Sequence, residues 1–316
     1  MSPQLQVVRY AAPRAGVGVG LLRVEGARGH GAPAIRPLPA ASLAALLERS
    51  LAELRAVVEG AAQAEPLQVE GVRLLPPIDG LTEVWAAGVT YQRSSQARQQ
   101  ESQVADVYAR VYDAERPELF FKAPAWRVCG HGEPIGIRAD SAIDVPEPEL
   151  ALVCNALGEV VGLTICNDVS SRSIEGENPL YLPQAKIYIG ACALGPGIVP
   201  IWAAGDPTAL GITVTVRRGA AIAWSGRTST ALLRRRLDDL VEHLFRQLSF
   251  PQGVVLSTGT GLVPGLDFTL QPGDQVAITI DGLGTLSNPV RRATAGAFAW
   301  LSPAPDRRPD QPPPAA

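Results

Sequence analysis

The segment from Asp144 to Lys186, DVPEPELALVCNALGEVVGLTICNDVSSRSIEGENPLYLPQAK, constrains the fold more than any other part of the chain. Two apolar runs, ELALVC and VVGLTIC, are separated by Asn-Ala-Leu-Gly-Glu, an order that predicts an antiparallel hairpin turning near residues 155–158. Prolines 146 and 148 disfavour helix and cannot donate to a ladder, so this approach is expected on an edge strand or at a strand's start. Glu147 and Glu149 are two apart, and side chains of extended chain alternate, so both carboxylates share a face. Folding back at the turn sets Asn167 and Asp168 opposite positions 146–149. Three carboxylates then converge.

Like charges at that separation raise one another's pKa unless positive charge lies between them. Oxygen-only ligation with no histidine or cysteine beside it suits Mg²⁺, Mn²⁺ or Ca²⁺ rather than zinc, and leaves coordination positions for water and substrate. The other reading of the same spacing is a solvated acidic rim on a hairpin.

A chain of 316 residues has room for one large domain or a small and a larger one. Net charge of -3 argues against a nucleic-acid or anionic-membrane partner. No apolar run reaches bilayer length and the start lacks a secretory pattern, so a soluble cytoplasmic protein is expected. Cys129, Cys154, Cys166 and Cys192 are widely spaced and read as small buried hydrophobes. His30, His131 and His243 show no ligand spacing, and His131 reads as a loop residue without a catalytic part. Of 28 basic residues only Lys122 and Lys186 are lysine. A lysine kept where arginine is the rule marks a place that needs a compact, deprotonatable amine.

Residues 1–76 read as a small N-terminal domain with strands in LQVVRY and GVGVGLLRV and one helix from Ser42 to Ala62. Residues 77–301 form the catalytic domain. There VWAAGVTY is a buried strand, and a polar helix from Ser94 to Asp113 is either a lid or an exposed helix. Glu118 and Lys122 in ELFFK share a strand face as an ion pair or an acid–base pair. GITVTVRRG and AAIAWSG read as strands, and Thr230 to Leu248 as a helix. The run Ser-Thr-Gly-Thr-Gly at 257–261 offers N–H groups and hydroxyls to a carboxylate or phosphate, without the lysine of a nucleotide loop. The Pro-rich tail, 302–316, is expected to be disordered.

The order of GVTY (88–91), FFK (120–122), EPELA, NDVSSR (167–172), Lys186, LGPGIV (194–199), STGTG, LQPGD, GLGTL and NPV resembles the fumarylacetoacetate hydrolase family over residues 80–292. That resemblance implies a mostly β, α+β mixed β-roll, a homodimer or homotetramer, and a 2-keto acid substrate. It implies Glu147, Glu149 and Asp168 as metal ligands, Mg²⁺ first among the candidate ions, and Lys186 as the nearby amine. It places Arg93, Ser94, Lys122 and Thr260 about the substrate. Hydrolases of the family carry a histidine where this chain has Ser94. YQRSSQAR, VYDAERPELFFKA and IEGENPLYLPQAK look instead like the branch that dehydrates 2-keto-3-deoxy-D-arabinonate to 2,5-dioxopentanoate, in which Glu118 acts with Lys186 in acid–base catalysis. Ser173 stands where many relatives have aspartate. Acylpyruvate hydrolysis or oxaloacetate decarboxylation on the same scaffold, and ligand binding without catalysis, are the competing expectations.

Overall fold

The computed structural model describes residues 4–13, 16–24, 34–61, 64–67, 71–101 and 110–303. Strands dominate it. In chain order they are β1 (Gln4–Ala12), β2 (Gly16–Val24), β3 (Ala34–Pro37), β4 (Arg73–Leu75), β5 (Glu83–Gly88), β6 (Glu118–Pro124), β7 (Ile135–Ile137), β8 (Asp144–Val145) and β9 (Pro148–Cys154). They continue as β10 (Val160–Asp168), β11 (Ser170–Ser171), β12 (Cys192–Pro200), β13 (Gly211–Arg218), β14 (Ala221–Ser229), β15 (Val254–Ser257), β16 (Gln275–Ile280) and β17 (Gly284–Arg292). The helices are α1 (Leu43–Leu47), α2 (Leu51–Gly60), α3 (Gln92–Glu101), α4 (Arg172–Glu177), α5 (Leu182–Lys186) and α6 (Leu237–Phe245).

A ten-stranded mixed sheet runs β3-β2-β1-β12-β10-β9-β15-β5-β6, with β4 also paired to β1. A five-stranded sheet, β14-β13-β16-β17-β7, packs on one face of it. The pairs β15–β5 and β17–β7 are parallel, and the other long pairs are antiparallel. Every residue of β9 is buried because the strand has a core on each side. Leu150 and Leu152 pack with Ile212, Val214 and Ile278 of the smaller sheet, whereas Ala151 and Val153 pack with Leu43, Leu47, Leu54 and Val58 of α1 and α2. Each leucine so buried contributes roughly 1.5–3 kcal/mol. β13, with one covered face, shows the alternation of a half-solvated strand.

The hairpin turns where the sequence predicts. The Asn155 side chain accepts from the N–H groups of Leu157 and Glu159, closing the turn. Asn167 pairs with Pro148 and Cys166 with Glu149. Pro148 opens β9, but β9 lies between β10 and β15, so it is a central strand and not an edge. The single helix expected from Ser42 to Ala62 is two, because Ser50 and Glu53 form a capping box that starts α2 afresh. The helix expected from Thr230 to Leu248 shrinks to α6. Leu233 instead bridges to Tyr91, and the Arg234 N–H donates to the Thr90 carbonyl, which holds this stretch extended. In the polar helix expected from Ser94 to Asp113, α3 starts two residues earlier and 110–113 are helical, while 102–109 lie outside the described residues, as does the tail from 304. No helix among the described residues is long and apolar enough to cross a membrane.

Candidate metal centre and its cavity

Burial on both faces fixes the ends of β9 and β10, and the three carboxylates sit there. Glu147, Glu149 and Asp168 are each at most 2% exposed, and one oxygen from each lies within 4.8 Å of the others. The Asp168 N–H donates to the Glu147 carbonyl at 3.0 Å, locking the two strand ends together.

The two lysines meet at Asp168 from opposite sides. Lys186, the last residue of α5, donates to Asp168 Oδ2 at 3.0 Å, Glu147 Oε2 at 2.6 Å and Ser170 Oγ at 2.6 Å. Its Nζ stands 5.7 Å from the centre of the Phe120 ring. Lys122 pairs with Asp168 Oδ1, and its Nζ also donates to the Lys186 carbonyl at 2.6 Å and the Val169 carbonyl at 3.1 Å. Lys122 therefore supports the site from behind. Strict alternation along β6 ends before it, since Val84 pairs with Ala123 and Trp85 with Phe121, leaving Lys122 as the extra residue of a bulge. The shared face expected for Glu118 and Lys122 is thus broken, and Glu118 and Phe120 line the cavity in front of the acids.

Each acid has a different environment. Burial drives the Glu147 pKa upward, but Lys186, Arg98 and Arg172 outweigh it and hold the carboxyl well below the usual range. Burial, then the charges of Asp168, Cys166 and Glu147, push Glu149 far above it. Glu118 is also raised, chiefly by burial, with Arg98 and Lys186 opposing. Both donors to Glu149 reach the same oxygen, Oε2, from Ser257 Oγ at 2.6 Å and the Gly259 N–H at 2.8 Å. The Ser-Thr-Gly-Thr-Gly run is a carboxylate cradle, and the carboxylate it holds belongs to Glu149. Gly259 has φ +90°, and a Cβ there would lie 2.0 Å from Thr90 Oγ1. An all-oxygen set of three buried acids, with one oxygen from each within 4.8 Å of the others, fits a hard divalent cation such as Mg²⁺.

The cavity in front of the acids is about 20 Å³ and is lined by Ser94, Arg98, Glu118, Glu175, Lys186 and Thr260, among others. Ser94 Oγ donates to the Tyr91 carbonyl at 2.8 Å, within its own turn. Thr260 Oγ1 donates to the Pro148 and Leu262 carbonyls. Arg93 is exposed and lies in a separate recess of about 340 Å³ with Tyr91, Tyr112 and Arg234. His131 is exposed in its loop, where Nδ1 accepts from the Ser287 N–H. Ser173 Oγ accepts from the Ala142 N–H at 3.1 Å and bonds Ser141 Oγ. Three residues that the sequence reading passed over complete the site. Arg98 pairs with Glu147 and Glu175, and Arg172 pairs with both of the same acids. Arg172 and Glu175 lay in the segment already singled out, and Arg98 in the polar turns of α3, where a charge reads as solvated.

Comparison with known proteins follows the same lines. The family model described as the fumarylacetoacetate (FAA) hydrolase C-terminal matches residues 83–291. A protein of Haloferax volcanii named a probable 2-keto-3-deoxyxylonate dehydratase is 52% identical over 214 residues, covering 68% of this chain and 73% of its own. The 2-dehydro-3-deoxy-D-arabinonate dehydratase of Saccharolobus solfataricus is 44% identical over 230 residues, covering 71% and 76%. A solved structure of 2-keto-3-deoxy-D-arabinonate dehydratase with magnesium and 2,5-dioxopentanoate superposes with a TM-score of 0.75 at 35% identity, over 91% of this chain and 99% of that one.

Proposed function

The chain belongs to the fumarylacetoacetate hydrolase family, and from that premise we propose that it is a hydro-lyase converting 2-keto-3-deoxy-D-arabinonate to 2,5-dioxopentanoate and water. The observation that carries the reading is one cavity lined at once by Glu147, Glu149, Asp168, Lys186 and Glu118. A 2-keto-3-deoxy pentonate keeps C4 as its only stereocentre, so acids derived from D-xylonate and D-arabinonate are the same compound.

Glu147, Glu149 and Asp168 would hold Mg²⁺, which supplies electron withdrawal from the 2-ketone of a bound 2-keto acid. Lys186 takes the C3 proton, being the amine that contacts both Glu147 and Asp168, lines the cavity and is held there by Ser170. Glu118, whose pKa burial raises, gives its proton to the departing C4 hydroxyl, and water leaves. The C3=C4 double bond is conjugated with the ketone. Moving a proton from C5 to C3 gives the C4=C5 enol, which closes to the C5 aldehyde. Phe120 and Leu182 line the cavity and keep bulk water from the Lys186 amine. Lys122 supports Asp168, and Ser94 and Thr260 border the path of the substrate's polar end, while Arg93 lies in the neighbouring recess. The protein works in the cytoplasm as a homodimer or homotetramer, which light scattering checks.

The test is EDTA-treated protein with 2-keto-3-deoxy-D-arabinonate, with and without Mg²⁺, coupled to a semialdehyde dehydrogenase and read as NAD(P)H. Turnover that requires the metal is expected. Consumption of acylpyruvates or oxaloacetate in its place would overturn the assignment to this branch.

A further inference from the structure

In the structure described, the cavity has room for about one water molecule and none for a five-carbon acid. The site has to open before substrate enters, and of the cations that hold Glu147 the most loosely held is Arg98. It is 8% exposed, stands on α3 at the mouth, and lines the cavity. Its contact with Glu147, Nη2 to Oε1 at 3.4 Å, is the longest of the three cationic contacts that acid makes, against 3.1 Å for Arg172 and 2.6 Å for Lys186. Lys186 is fixed by Asp168 and Ser170, and Lys122 by two carbonyls and Asp168. Glu147, Asp168 and Glu175 are already met by Lys122, Lys186, Arg98 and Arg172, so a divalent cation taken up by the acids competes with these side chains for the same oxygens.

We propose that Arg98 is a specificity residue that exchanges partners, leaving Glu147 when the acids take up their cation and receiving the carboxylate of the incoming 2-keto acid. Its planar fork matches a carboxylate. Glu175, which also pairs with Arg98, is the positioning residue that keeps the fork at the cavity mouth. This inference rests on the reading that the site takes a 2-keto acid.

Arg98→Gln, Arg98→Lys and Glu175→Gln separate the roles. Mn²⁺ is titrated alone into the EDTA-treated proteins by calorimetry, and pyruvate is then titrated into the Mg²⁺-loaded ones. Arg98→Gln is expected to bind Mn²⁺ as tightly as the unaltered protein or several-fold tighter, because a competing charge is gone. It is expected to bind pyruvate roughly 30-fold or more weakly, the scale on which removing one partner of a buried charge pair acts. Its KM for the sugar acid rises more than its kcat falls. Arg98→Lys restores part of the pyruvate affinity, and Glu175→Gln weakens it by less than Arg98→Gln does. The proposal is overturned by unchanged pyruvate affinity in Arg98→Gln, or by Mn²⁺ and pyruvate affinities that fall together, which would make Arg98 only a support for Glu147. Should the unaltered protein ignore the sugar acid yet show the pyruvate difference, the dehydratase reading falls and the part played by Arg98 stands.

Discussion

The β9–β10 hairpin and α3 meet at one cavity, but they are held there by different forces. β9 exposes nothing, and its alternate residues fill two hydrophobic cores. α3 has the sequence QRSSQARQQE, contributes no large apolar side chain, and is anchored through Ser94, Ser95, Ala97 and Arg98. Packing fixes position to a fraction of an ångström, because displacing a core residue opens a void. Polar anchors exchange one partner for another at small net cost. The acids therefore occupy the part of the molecule that cannot rearrange, and the residue proposed to greet the substrate occupies the part that can.

The sharpest way to break this contrast is at the fixed end. Lys186→Gln leaves Glu147 and Asp168 short of a cation, and turnover is expected to fall by about 10³-fold or more, with several kcal/mol lost from stability. A coupled assay and thermal unfolding measure the two losses; a variant that kept its unfolding temperature would show the floor to be less rigid than its packing implies. Glu118→Gln removes a proton donor but no buried charge pair. Turnover should drop by about 10²-fold while calorimetric Mn²⁺ affinity stays put, and full turnover would remove Glu118 from the chemistry.

Backbone strain offers a third comparison. Gly259→Ala combines a φ of +90° with a Cβ driven into Thr90 Oγ1, so about 2 kcal/mol of stability should go, with weaker Mn²⁺ binding as the Glu149 donor shifts. Gln96→Ala on the exposed face of α3 should stay within about 0.5 kcal/mol in the same denaturation series.

A pH-dependent effect, smaller than those at the acids, concerns Asp144 of β8, whose carboxyl burial pushes up to about 6 from an ordinary 3.8. A raised acid pKa means the folded chain holds the proton more tightly. This contribution is complete below about pH 3.8 and is lost as pH rises through about 6, on the order of 1–2 kcal/mol. Urea denaturation from pH 4 to 7 should show Asp144→Asn with the shallower decline; parallel curves would remove Asp144 as the cause.

The same contrast explains what could be read from the sequence. The hairpin was legible because apolar runs of strand length flank an Asx turn, and the acids were legible because their spacing of two has one geometric meaning on a strand. Arg98, Arg172 and Glu175 were not, since a charge beside polar residues looks solvated until the fold buries it. The break at Ser50 was written in the sequence as Ser-x-x-Glu, but a continuous leucine stripe masked it. The short α6 was not written locally at all, because contacts of Leu233 and Arg234 with Tyr91 and Thr90, over 140 residues away along the chain, decide it. The bulge at Lys122 likewise depends on its partner strand.

The pairing of β1 with β12 has a consequence for solubility. On that side β12 is covered by the first strand of the chain at Ile198 and by Cys129 at Ala193, so cutting away the opening residues would uncover unpaired amides and carbonyls beside the apolar residues Ile198 and Val199. Such an edge is a template for another chain to add to. The opening strands thus act as a guard against aggregation for a site to which they lend no side chain.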